Sequence, residues 1–111
     1  MAYVRVTSII FPEHSATEGA KILQELNDVA DTHEGHVLGL VLRSTINHCQ
    51  FLRLSMWRNR HDADLISMTD HIVALRARLN VLTVDGHHRE DSFEYVGDAA
   101  KLAVHLDQAG A

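Results

Sequence analysis

Apolar positions along this chain change period several times, and each change predicts a new element. Residues 3–11 are rich in β-branched and aromatic side chains and stop at Pro12, which predicts a strand. From Ser15 the spacing becomes helical. Ile22, Leu26, Val29 and His33 recur about once per turn, Ser15 and Glu18 have the spacing of a capping box, and Gly35 is placed to end the helix. Residues 36–44 and 50–57 then predict two further strands, and the short polar connection between them suits a hairpin. A second long helix follows, capped by Asn59 or Asp62, with Leu65, Met68, Ile72, Leu75 and Leu79 as its apolar stripe and Asn80 at its end. Residues 92–96 predict the last strand, with 81–84 as a further short strand or an ordered connection. Residues 98–108 predict a terminal helix.

The order β-α-β-β-α-β predicts an α+β, ferredoxin-like domain over residues 1–97, with both helices on one face of an antiparallel sheet and a helical tail over 98–111. Alternation divides the strands into two faces. Val4, Val6, Ile10, Leu38, Leu40, Leu42, Leu52, Leu54 and Met56 make one almost wholly apolar face, expected to meet the helices. Tyr3, Thr7, Ile9, Val37, Val41, Phe51 and Trp57 lie on the other, which is also too apolar for water. A second copy of the chain is its simplest cover, so a homodimer is expected; the alternative is that the C-terminal helix folds back over this face.

With 111 residues there is room for one domain, and a net charge of −5 argues against a nucleic-acid or anionic-membrane partner. Cys49 is the only cysteine, so no internal disulfide can form. No leader or membrane-length apolar run is visible, and the expected address is the cytoplasm.

Candidate chemistry gathers on the third strand and second helix. Trp57 and Arg53 share a strand face, where an indole stacks on a flat ring and a guanidinium holds a phenolate or carboxylate; the bland alternative is a core aromatic and an ion-paired cation. Arg5, Arg43 and Arg53 are expected in a row on that face, as an anion site or as salt bridges. His71, beside the apolar stripe, is suited to remove a phenolic proton, or is simply a polar boundary residue. Nine histidines are many for this length, but the densest run, 85–91, lacks metal-site spacing and reads as a solvated turn, so no metal is assigned. Cys49 has no base fixed beside it, because the adjacent His48 points the other way on extended chain.

The run Leu52-Arg53-Leu54-Ser55-Met56-Trp57, the polar stretch 58–62, then Leu65 and His71 resembles the antibiotic biosynthesis monooxygenase family of dimeric α+β barrels. Gly35-His36-Val37-Leu38-Gly39 resembles that family's approach to strand two, without its Pro-Gly. The resemblance covers about residues 3–96. It implies a two-protomer barrel and a cofactor-independent monooxygenase acting on a small aromatic or polyketide-type substrate. In that reading Trp57, Arg53 and His71 are catalytic, and Arg76 and Thr7 bind substrate. Arg53 stands where the polyketide oxygenases carry an Asn. A haem-degrading branch has a first-strand Asn and a second Trp, in helix two; this chain has Thr7 on its first strand and no Trp in that helix, so no cofactor is expected. The alternative is a non-catalytic dimeric ligand-binding or stress-response module of the same fold.

Overall fold

The computed structural model describes residues 2–83 and 87–97. In chain order the elements are β1 (Ala2–Ile10), α1 (Ala16–Asp31), β2 (His36–Arg43), β3 (Gln50–Trp57), α2 (Arg60–Ser67), α3 (Asp70–Leu82) and β4 (His88–Tyr95). The four strands form one antiparallel sheet in the order β2-β3-β1-β4, as the ferredoxin-like expectation requires. β3 has the bounds that alternation predicted. The β2–β3 loop is held by Ser44 Oγ, which accepts from the backbone N–H of Ile46 and Asn47, and by Asn47 Oδ1, which accepts from Cys49 N–H.

The two sheet faces are assigned opposite to expectation. Helices cover the face that carries Ile9, Phe51 and Trp57, which pack with Ile22, Leu23, Leu26, Ala30, Ala63, Ile66, Ile72, Leu75 and Leu79. Among the described residues no helix packs on the more apolar face, where Ala2, Val4 and Met56 form a small buried cluster with the partly buried Val6, Leu38 and Tyr95. Counting apolar residues misleads here because the covered face also holds Arg5, Arg53 and Ser55, and each finds a hydrogen-bond partner beneath the helices.

The single long helix expected after β3 is two. Thr69 adopts extended backbone (φ −73°, ψ 145°) and caps α3, while its hydroxyl donates to Ile66 O and Ser67 Oγ donates to Asp64 O. Such side-chain bonds compete with the helical ladder and break the helix. The break resets the inward face. Ala63, Ile66, Ile72, Leu75 and Leu79 are buried, whereas Leu65 and Met68, expected inside, are 52% and 70% exposed. Asn59 caps α2 as predicted, accepting from Asp62 N–H. Ser15 occupies the N-cap of α1 without a side-chain bond, because residues Glu13–Ser15 already form a 3₁₀ turn.

β4 starts four residues earlier than expected, so 88–91 belong to a strand and not to a turn. Its charged sequence hid it, since an edge strand tolerates charges that a central one does not. Val81 and Leu82 end α3 instead of forming a strand. The expected tail helix lies outside the described residues.

Gly35 joins α1 to β2 at φ +91°, a conformation that L side chains rarely adopt. A Cβ there would meet the Asp62 side chain, which accepts from Arg58 Nε. Gly35→Ala is therefore expected to cost about 1–3 kcal/mol. In a domain of this size that lowers the melting temperature by several degrees or more. An unchanged melt would show that the turn relaxes freely.

Candidate active site

Under α1, α2 and α3 the covered sheet face leaves a cavity of about 60 Å³. Its polar lining comes from β1 (Arg5, Thr7), β3 (Arg53, Ser55), α2 (Ser67), α3 (Arg76) and β4 (His88, Glu90). Trp57, Leu23, Leu26, Ile66, Ile72 and Leu79 supply apolar walls. This volume is below the roughly 150 Å³ that admits a benzene ring in an engineered apolar cavity. A ring enters only as side chains at the mouth move. Arg5, Arg76 and Glu90 are the half-exposed groups there, at 31%, 42% and 47%.

The cations of the cavity are not equally neutralised. Arg5 pairs with Asp64, and Arg76 Nη2 lies 3.1 and 3.3 Å from the two carboxylate oxygens of Glu90. Arg53 is more deeply placed, and its Nε donates to a neutral partner, Asn27 Oδ1, at 2.7 Å. Burial pushes the Arg53 guanidinium down to about 10, with Glu90 opposing and Arg76 and Arg5 adding to the fall, so it remains a cation at neutral pH. Asn27 is 3% exposed and its Nδ2 has no hydrogen-bond partner. Gly39 makes room for this side chain: a Cβ there would come within 2.7 Å of Asn27 Cγ.

Trp57 is 2% exposed, donates from Nε1 to Ser55 Oγ at 2.8 Å, and meets the His36 ring edge-on with centroids 4.7 Å apart. A β-bulge brings His36 to this face. His36 pairs with Trp57 and Leu38 with Met56, so Val37 is the extra residue and the alternation restarts after it. His36 Nδ1 in turn lies 2.6 Å from Asp31 Oδ1.

Of the residues singled out in the sequence, Arg5, Thr7, Arg53, Trp57 and Arg76 come together around one cavity. His71 does not. It is exposed, one position before the inward-facing Ile72, and is not part of the cavity wall. Arg43 is also apart, its guanidinium 5.1 Å from the Phe51 ring at the far end of β3. Sequence reasoning missed Asn27, Ser55, His36 and Glu90. Ser55 was legible, lying between Arg53 and Trp57 on one face; His36 was not, because alternation without the bulge puts it with Leu38. Among the described residues no three His, Cys, Asp or Glu side chains converge on a metal-sized site, and no helix is long and apolar enough to cross a membrane.

Burial lowers the His36 pKa below its ordinary 6.5, with Arg53 adding to the fall and Asp31 opposing it. As pH drops through 6.5 the unfolded chain takes up this proton before the folded one does. Stability is therefore expected to fall as the solution is acidified below that point, and the His36→Gln melt to depend less on pH over the same interval. Parallel profiles for the two proteins would remove His36 as the cause.

No protein-family model matches this sequence, and no curated protein matches it. Solved structures do match. A proposed antibiotic biosynthesis monooxygenase from Nitrosomonas europaea is 13% identical, with a TM-score of 0.79, over 86% of this chain and 90% of its own. SnoaB, a cofactor-independent oxygenase from Streptomyces nogalater, is 10% identical, with a TM-score of 0.76, over 87% and 95%. Rv0793 from Mycobacterium tuberculosis is 11% identical, with a TM-score of 0.79, over 89% and 99%. The chain thus has the α+β ferredoxin-like fold of the antibiotic biosynthesis monooxygenase structures, in agreement with the resemblance seen around Trp57. At these identities the likeness is one of fold.

Proposed function

We propose that this chain is a cofactor-independent monooxygenase acting on a small, electron-rich phenolic aromatic, and that it works as a homodimer in the cytoplasm. The observation that carries the reading is Arg53, a partly buried cation in the cavity wall whose side-chain hydrogen bond goes to the neutral Asn27 amide and not to a carboxylate. Such a group is stabilised by a bound anion. A phenolate held there, with Trp57 and the leucines of the wall around its ring, is electron-rich enough to reduce O₂ directly. One oxygen atom then enters the ring carbon and the other leaves as water. Arg76 at the mouth and Thr7 on β1 contact the substrate's outer polar groups. His71 has no role in this scheme.

The sheet face that no described helix covers supports the dimer. Leu42 and Phe93 are 47% and 55% exposed, beside the partly exposed Val6, Leu38, Leu40, Leu52 and Leu54. A patch of this kind marks an interface, and the same patch on a second copy complements it.

Purified protein is expected to consume oxygen with dihydroxynaphthalene-type phenols in the absence of added flavin or metal, and to lose that activity in Arg53→Met. No consumption across a panel of such phenols would overturn the reading. The second reading, a ligand-binding module without turnover, is favoured by Arg53 standing where the resembling oxygenases carry an Asn. It predicts phenol-dependent thermal stabilisation with no oxygen uptake.

A further inference from the structure

Asp31, His36, Ser55 and Trp57 form one continuous line of hydrogen bonds. His36 Nδ1 is 2.6 Å from Asp31 Oδ1, and its Nε2 is 3.3 Å from Ser55 Oγ, which also accepts from Trp57 Nε1 at 2.8 Å. The network assigns the protons. A carboxylate only accepts, so Nδ1 carries the hydrogen and Nε2 offers a lone pair. The Ser55 hydroxyl then donates to Nε2, and the indole N–H fixes the oxygen in place.

Exposure gives this line a direction. Ser55 is 2% exposed and forms part of the cavity wall, two residues from Arg53 on the same strand face. The His36 side chain is 1% exposed, and that of Asp31 is 64% exposed. The chain of groups therefore starts at the cavity and ends in water. The charged groups acting on His36 are Asp31, the last residue of α1, and Arg53 of β3.

We infer that Ser55, His36 and Asp31 are a proton relay that carries the hydroxyl proton of a bound phenol out of the cavity. The inference rests on reading the cavity as a phenol site. It balances without any further reactant. The phenol O–H gives its proton to Ser55 Oγ as the Ser55 proton passes to His36 Nε2, and Asp31 holds the resulting imidazolium outside the cavity for as long as the phenolate stays bound. The phenolate remains on Arg53. Ser55 touches the ligand and is the catalytic residue; His36 and Asp31 act through it as positioning residues. The relay also supplies what His71, on the outside of α3, does not.

4-Nitrophenol tests this, because its phenolate is coloured and the readout needs no turnover. At a pH one unit below its ionisation point in water, the probe bound to wild-type protein is expected to be mostly ionised. Nitrogen-15 NMR of His36 should show the neutral Nδ1–H form in free protein and the imidazolium in the complex. Ser55→Ala and His36→Gln should bind the probe with an ionised fraction at least tenfold lower, while Ser55→Thr, which keeps the hydroxyl, restores it. Equal ionisation in all these proteins, a His36 that stays neutral on binding, or a probe that does not bind would each overturn the relay. A protein that ionises the probe through Ser55 yet consumes no oxygen with any phenol would keep the relay and remove the oxygenase reading.

Discussion

Arg53→Met is expected to weaken binding of a hydroxynaphthoate or similar anionic phenol by at least about 30-fold while moving the melting temperature by only a few degrees. The two effects differ because a partly desolvated cation is costly to the fold and useful to a ligand. Losing a buried, hydrogen-bonded charge contact costs about 2–5 kcal/mol of binding, and each 1.4 kcal/mol is tenfold. For folding the terms oppose. Removing the guanidinium ends its desolvation penalty, and a flexible thioether of similar length fills the space. Against this, Asn27 Oδ1 loses its only assigned donor in a site 3% exposed, which costs about 1–3 kcal/mol. The net change in stability is therefore small. Calorimetric titration alongside thermal melts checks both halves. Intact binding with a large fall in stability would make Arg53 a structural group and remove the anion site.

Leu54→Asp is expected to convert the protein from a dimer into a folded single protomer. Leu54 sits mid-strand on β3, opposite Val6 of β1 and Leu40 of β2, on the open face. In the proposed dimer the two-fold axis brings two such positions into one interface, so each substitution places a pair of carboxylates in an apolar setting. Burying unpaired charge costs several kcal/mol per group, enough to weaken association more than a thousandfold. The side chain contributes little to the protomer core, so folding persists. Sedimentation at micromolar concentration should give twice the 12.4 kDa chain mass for wild type and the single mass for the variant. A wild-type protein that sediments as one chain would remove the dimer.

Strand order and the bounds of β3 were legible because a period of two over VRVTSII and QFLRLSMW has no helical alternative. Which face the helices cover was not. Both faces are apolar, and the deciding feature is tertiary: Arg5 reaches Asp64 of α2 and Arg53 reaches Asn27 of α1. The break at Thr69 escaped notice because Leu65, Met68 and Ile72 keep a helical spacing across it, and hydroxyl-to-backbone bonds leave no periodic trace. Four of the residues expected to touch substrate were found in the cavity wall because alternation and helical period fix which side of an element they share. His71 failed by one position, about 100° around the helix. His36 was invisible for the complementary reason, since one inserted residue shifts the parity of the strand before it.

The charges of β4 also decide how an oily sheet meets its neighbours. His88, Arg89, Glu90, Asp91 and Glu94 line one outer margin of the sheet, whose backbone groups would otherwise template endless strand addition. Crowding ionic side chains there penalises growth along the sheet plane and leaves stacking across its surface as the favourable contact. In the proposed dimer, association would then close after two copies instead of running on into fibres.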